Sequence, residues 1–182
     1  MFESSVLGVD PGVARCGLAV VGRRGRTSDL RFATTVITPA DADESIRFRL
    51  IAEAARAAIA EHRPAAVAVE RVAWSRNQVS ALHVARATGV IILVAAEAGL
   101  PVAEYAPNEV KQAVTGYGAA TKEQVQMMVQ TLLGLAELPK PADAADAAAL
   151  ALCHLARMPM ARAAAAAGHR ADPGADHDGL VR

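Results

Sequence analysis

The chain has 182 residues, 53% of them apolar, with 19 Lys and Arg against 19 Asp and Glu. That length suits one well-buried α/β domain and is short for two, and zero net charge excludes a global basic field, so any nucleic-acid binding must rest on a local patch. No apolar run reaches the roughly 18–20 residues of a membrane span, and Cys16 and Cys153 stand far apart in no metal-ligand spacing, so we expect buried thiols, a cytoplasmic protein and no membrane partner.

Strand-like runs rich in Val, Ile, Leu and Ala are predicted at about 5–10, 16–22 and 30–37, punctuated by Gly12, Gly17, Gly22 and Gly25. Such short connections imply an antiparallel meander. From Asp43 to His62 the period becomes helical, with Ile46, Leu50, Ile51, Ala54, Ala55, Ala58 and Ile59 on one broad face, until Arg63-Pro64 ends it. A strand at 65–70 follows, then a helix or helix pair from about Asn77 to Gly99, and a strand at 101–106. A short helix from Asn108 to Thr115 carries Lys111. Thr121 to Gln124 reads as a capping box opening the next helix, and a last long helix begins near Pro141. Three leading strands, then strands alternating with helices, describe a mixed five-stranded α/β sheet, the later strands parallel, with helices on both faces. Residues 1–162 form the expected domain. After about Arg162 no periodic apolar face continues, so 163–182 is expected to be a disordered tail.

Four carboxylates carry the functional signal. Asp10 closes the apolar run Val6-Leu7-Gly8-Val9 and Glu70 closes Val67-Ala68-Val69, which places each at the carboxyl end of a buried strand. Asp143 and Asp146 lie three apart in an alanine-rich stretch, so a helix stacks them on one face. Asp143 falls in the first turn, where the helix dipole favours its ionised form. Singly, each acid is better explained by solvation or strand capping. Clustered without a counter-charge, four buried acids would repel one another and cost several kcal/mol, a conflict that divalent ions remove. Oxygen-only donors select magnesium, with manganese as a substitute, and two such ions roughly 4 Å apart hydrolyse phosphodiesters.

The segments Leu7-Gly-Val-Asp-Pro-Gly12, Ala68-Val-Glu-Arg-Val72, Glu109-Val-Lys-Gln-Ala-Val-Thr-Gly116, Lys122-Glu-Gln-Val-Gln-Met-Met-Val129 and Ala142-Asp-Ala-Ala-Asp-Ala-Ala-Ala149 together resemble the RuvC family of Holliday-junction resolvases, in order and at family spacing over about residues 5–158. The resemblance implies a ribonuclease-H-like fold and a homodimeric, magnesium-dependent endonuclease that nicks two strands of a four-way DNA junction in recombination and repair. A branch-migration motor is its implied partner. Asp10, Glu70, Asp143 and Asp146 match the metal-binding catalytic acids, two ions being expected with substrate, and Lys111 and Lys122 match basic residues near the cleaved strand. One departure is plain: where the family commonly carries an aromatic wedge this chain has Ala73, followed by Trp74. Trp74 is either a base-stacking residue in its place or a core tryptophan. Arg71, Arg76 and Asn77 are candidate phosphate contacts, and Arg71 can equally pair with an acid.

Three other classes compete. The segment from Asp10 to Val20 also resembles the smaller RuvC-like nucleases that mature ribosomal RNA, although the Asp143/Asp146 segment and both lysine motifs fit the resolvases better. The Asp10-Pro11-Gly12 turn resembles the first phosphate loop of actin-like ATPases, whose further glycine-rich loops the sequence does not supply. A non-catalytic junction binder is opposed only by the intact set of acids.

Overall fold

The computed structural model describes residues 3–72 and 78–168. Three strands, β1 (Glu3–Asp10), β2 (Arg15–Arg24) and β3 (Thr27–Ile37), form the expected antiparallel meander, with β4 (Ala66–Glu70) and β5 (Val102–Tyr105) added in parallel on the far side of β1. The sheet order is β3-β2-β1-β4-β5. Helices α1 (Glu44–His62) and α2 (Gln78–Glu97) follow β3 and β4, while α3 (Pro107–Thr115), α4 (Lys122–Leu133) and α5 (Ala142–Gly168) follow β5.

Side-chain alternation divides the core into two layers, because successive strand residues point to opposite faces. Leu7, Val9, Leu18, Val20, Val67 and Val69 pack with Ile51, Ala55 and Ala58 of α1 and Ile91 and Val94 of α2. Val6, Ala19, Val21 and Ala68 pack on the opposite face with α3, α4 and α5. Helices therefore cover both faces of the mixed five-stranded sheet. Cys16 lies in the first layer and Cys153 in the second, both buried and free.

Small residues let α5 approach the sheet closely. A Cβ on Gly8 would overlap the carbonyl oxygen of Ala147, and the α5 alanines Ala144, Ala147 and Ala151 are wholly buried. The start of α4 is equally legible in chemical terms: the Thr121 hydroxyl accepts from the Gln124 amide at 3.3 Å, and Gln124 Oε1 accepts from the Thr121 amide at 2.9 Å.

Two details differ from the sequence expectation, one in α1 and one in α5. Ile46 is 42% exposed at the start of α1, where the helix has not yet reached the sheet, and Ala52 is buried instead. Of the two expected alternatives for the segment after β4, the described residues form the single helix α2. Helix α5 runs on to Gly168, six residues beyond Arg162, although no apolar period continues there. The alanine run supplies the reason, since alanine has the highest intrinsic helix propensity. No helix among the described residues is long and apolar enough to cross a membrane.

Candidate active site

The parity that sorts the core also aims the acids. Counting outward along β1, Val6 and Gly8 face α5, so Asp10 does too; along β4, Ala68 faces that side, so Glu70 follows. Val9 pairs with Val69 in parallel register, which leaves Asp10 and Glu70 at the same carboxyl edge of adjacent strands. Above that edge begins α5, with Asp143 in its first turn and Asp146 one turn on. Segments 60 to 136 residues apart in the chain thereby deliver four carboxylates to one end of the sheet.

Their mutual field is strong. Burial pushes the Asp10 carboxyl up to about 7, and repulsion from Glu70, Asp146 and Asp143 adds to the rise, while Lys122 opposes it. Glu70 is also raised, first by burial and then by Asp146. Two cations answer this field. Lys122 Nζ donates to Asp146 Oδ2 at 2.6 Å, and that hydrogen bond is the main reason its own pKa is raised. Arg15 donates from Nε at 2.9 Å and from Nη2 at 2.8 Å, both to Asp143 Oδ2. With these pairings in place, no three acid, His or Cys side chains among the described residues stand in ion-holding geometry. The donor set itself consists only of carboxylate oxygens whose repulsion the two cations offset in part, Asp10 staying raised to about 7, which is the chemistry that suits a hard divalent ion.

A cleft opens beside the acids, lined by Glu70, Pro107, Lys111, Lys122, Val125 and Asp146 among others. Both sequence-predicted lysines therefore border the same cavity as two of the acids. Arg71 lies just past Glu70, its Nη2 donating to the Glu104 carbonyl at 3.2 Å and its Nη1 at 3.8 Å from Glu109, with 56% of the side chain exposed. It pairs with an acid, as one of the two sequence readings allows. Trp74, Arg76 and Asn77, with Ala73, lie outside the described residues.

The matched relatives follow from the same segments. The family model for the crossover junction endodeoxyribonuclease RuvC matches residues 6–154. The chain belongs to the RuvC family. It is 49% identical over 151 residues to the RuvC of Syntrophomonas wolfei, covering 82% of this chain and 87% of that one. Against the RuvC of Saccharopolyspora erythraea it is 52% identical over 157 residues, covering 86% and 79%. The solved structure of Thermus thermophilus RuvC in complex with Holliday junction substrate superposes with a TM-score of 0.83 at 38% identity, covering 87% of this chain and 96% of that one. A yeast mitochondrial Holliday junction resolvase shares the fold at 12% identity, with a TM-score of 0.64. All four carboxylates, both lysines and Arg15 fall inside the segment that the RuvC model covers.

Sequence reasoning missed two participants. Arg15 lies within the Asp10 to Val20 segment but takes no role from it; the hint is that, as first residue of β2, it shares pleat parity with Gly17, which faces α5. Glu109 was read only as part of a lysine-bearing motif. Its carboxylate accepts from the Ala106 amide at 2.9 Å and from Arg157 Nη1 at 2.8 Å, which ties the start of α3 to α5. Arg157 in turn lies over the Tyr105 ring, whose hydroxyl meets His154 Nδ1 at 2.8 Å. This network braces the helix that bears Lys111.

Proposed function

We propose that the chain is a structure-selective endonuclease that resolves four-way DNA junctions by paired symmetric nicks, in recombination and repair. The observation that carries the reading is the convergence of Asp10 and Glu70, from adjacent strand ends, on the two α5 acids, Asp143 and Asp146, beside a cleft with two lysines. In this reading those four acids hold magnesium, or manganese in its place, as two ions when substrate is bound. Such an ion pair supplies hydroxide at neutral pH and stabilises the leaving oxygen of the phosphodiester. Asp10 and Glu70 must give up any proton they hold before they can act as ligands. Lys111 and Lys122 stabilise negative charge developing on the cut strand, and Arg71, Arg76 and Asn77 contact flanking phosphates. Trp74 stacks on a junction base.

Paired cuts require paired sites, which a two-fold dimer provides. On α2, Leu82 is 51% exposed, Leu93 57% and Ile92 38%, while Gly89 between them has open space where a Cβ would stand. Ile91 and Val94 of the same helix are buried in the core. This apolar stripe supports a homodimer built on α2. A branch-migration motor is the proposed partner on the DNA. Two buried free thiols suit a reducing cytoplasm.

The test is cleavage by the purified protein of a synthetic mobile junction, a linear duplex and a structured RNA, with magnesium and with chelator. Magnesium-dependent, symmetric nicking of the junction alone is expected, lost in Asp10→Asn and Glu70→Gln with junction binding retained. Preferential cutting of the RNA would move the assignment to the ribosomal-RNA nucleases.

A further inference from the structure

Arg15 stands at the site with no role in the reaction as drawn above. Its backbone is fixed in place. Gly12 permits a turn so tight that a Cβ there would overlap the Arg15 carbonyl oxygen. Buried Thr38 then clamps the loop, its amide donating to Ala14 O at 3.1 Å and its hydroxyl to Val13 O at 2.6 Å, while Arg47 Nε donates to that hydroxyl at 2.8 Å. The side chain, by contrast, is 45% exposed. Rigid anchorage with a solvent-facing head leaves the side-chain torsions as the free variables.

Both of its hydrogen bonds end on one oxygen, Asp143 Oδ2. An ion bound by Asp143 would compete for the same carboxylate, and a fixed positive charge beside it opposes a second one. Formal charge states the consequence. Four carboxylates against Arg15 and Lys122 leave a deficit of positive charge, whereas two divalent ions would match all four acids and leave Arg15 without its partner. An unpaired, solvent-facing guanidinium beside the acids of a nuclease meets phosphate, for which its planar fork is the best-matched side chain.

We propose that Arg15 is a charge-exchange residue, which occupies Asp143 while ion and DNA are absent and transfers to a phosphate of the bound strand when the ion takes Asp143. The inference rests on the reading of the four acids as ion ligands. Its consequence is reciprocal coupling: DNA draws Arg15 away and so favours the ion, and the ion releases Arg15 and so favours DNA.

Two measurements test it on the full chain. Manganese binding to the DNA-free protein, by titration calorimetry, should tighten roughly 5-fold or more in Arg15→Gln, the low end of typical coupling between sites. Junction binding in calcium, taken as a cation that supports binding without cutting, should weaken in the same variant, and the slope of log affinity against log salt should fall by about 0.9 for the one lost phosphate contact. Arg15→Lys, which keeps the charge and loses the fork, should lie between the two proteins in both assays. Circular dichroism melts of each variant confirm folding. Weaker or unchanged manganese binding by Arg15→Gln overturns the proposal, because the arginine would then orient Asp143 or do nothing to it. An unchanged salt slope overturns it as well. Asp143→Asn separates the levels: if it binds manganese as well as the parent does, the ligand assignment itself is wrong and the exchange falls with it.

Discussion

The α-carbon of Gly17 lies directly beneath the main-chain carbonyl of Asp143, so closely that a Cβ on residue 17 would overlap that oxygen. Strand β2 thereby sets the height at which the first turn of α5, with its acid, rides over the sheet. Gly17→Ala should destabilise the fold by about 1–3 kcal/mol, the usual cost of overpacking, and should lift Asp143. Gly8→Ala makes the same kind of clash against Ala147, a turn further along α5. Both variants should melt lower, but per folded molecule Gly17→Ala should lose more junction nicking. Equal specific activity in the two would show that Asp143 does not depend on that contact.

Asp10 carries a stability penalty whose pH window is defined. Burial and three neighbouring acids raise its pKa from 3.8 to about 7, so between those values the folded state binds more proton than the unfolded chain and stability falls as pH rises. The penalty is absent below about pH 4 and complete above about pH 7. In chelator, Asp10→Asn should therefore match the parent at pH 4 and exceed it by on the order of 2–4 kcal/mol at pH 8. Denaturant melts across that range measure the difference, and a gain independent of pH would exclude the mechanism.

Lys122 opposes the rise at both Asp10 and Glu70. Without ions, Lys122→Met should move both carboxyl titrations upward, as read by carbon-13 NMR of the side-chain carboxyls. It also frees Asp146 from its 2.6 Å partner. A downward shift at Asp10 would mean that the lysine's field does not reach the strand ends.

Glu109 braces α3 through the Ala106 amide and Arg157, and those two hydrogen bonds hold its pKa below the ordinary range, the amide contributing most. A lowered carboxylate stabilises the fold above its unfolded pKa and loses that contribution as pH falls through its folded pKa. Because the group is partly exposed, the effect is screened: Glu109→Gln should cost about 1 kcal/mol or less at pH 7, and the cost should shrink as pH falls through the acid range. The calorimetric melting temperature at the two pH values is the check.

Much of the frame of the candidate site was legible because it depends on local rules. The β-branched runs ending in Asp10 and Glu70 became strand ends at those residues, the Thr121–Gln124 box opened α4, and the spacing of Asp143 and Asp146 kept both on the helix that covers the sheet. The extent of α5 was not legible from apolar period, since alanine propensity carried the helix past it.

By itself, the sequence determined the residue types, the alternation along each strand and the helical spacing, since these are set within a few residues by backbone geometry. Only the tertiary structure decided which charges meet. Arg15 and Asp143 are 128 positions apart, and their pairing depends on how β1, β2 and β4 align and where α5 crosses them. That arrangement follows from packing the whole sheet between two helical layers, and no local stretch of chain encodes it.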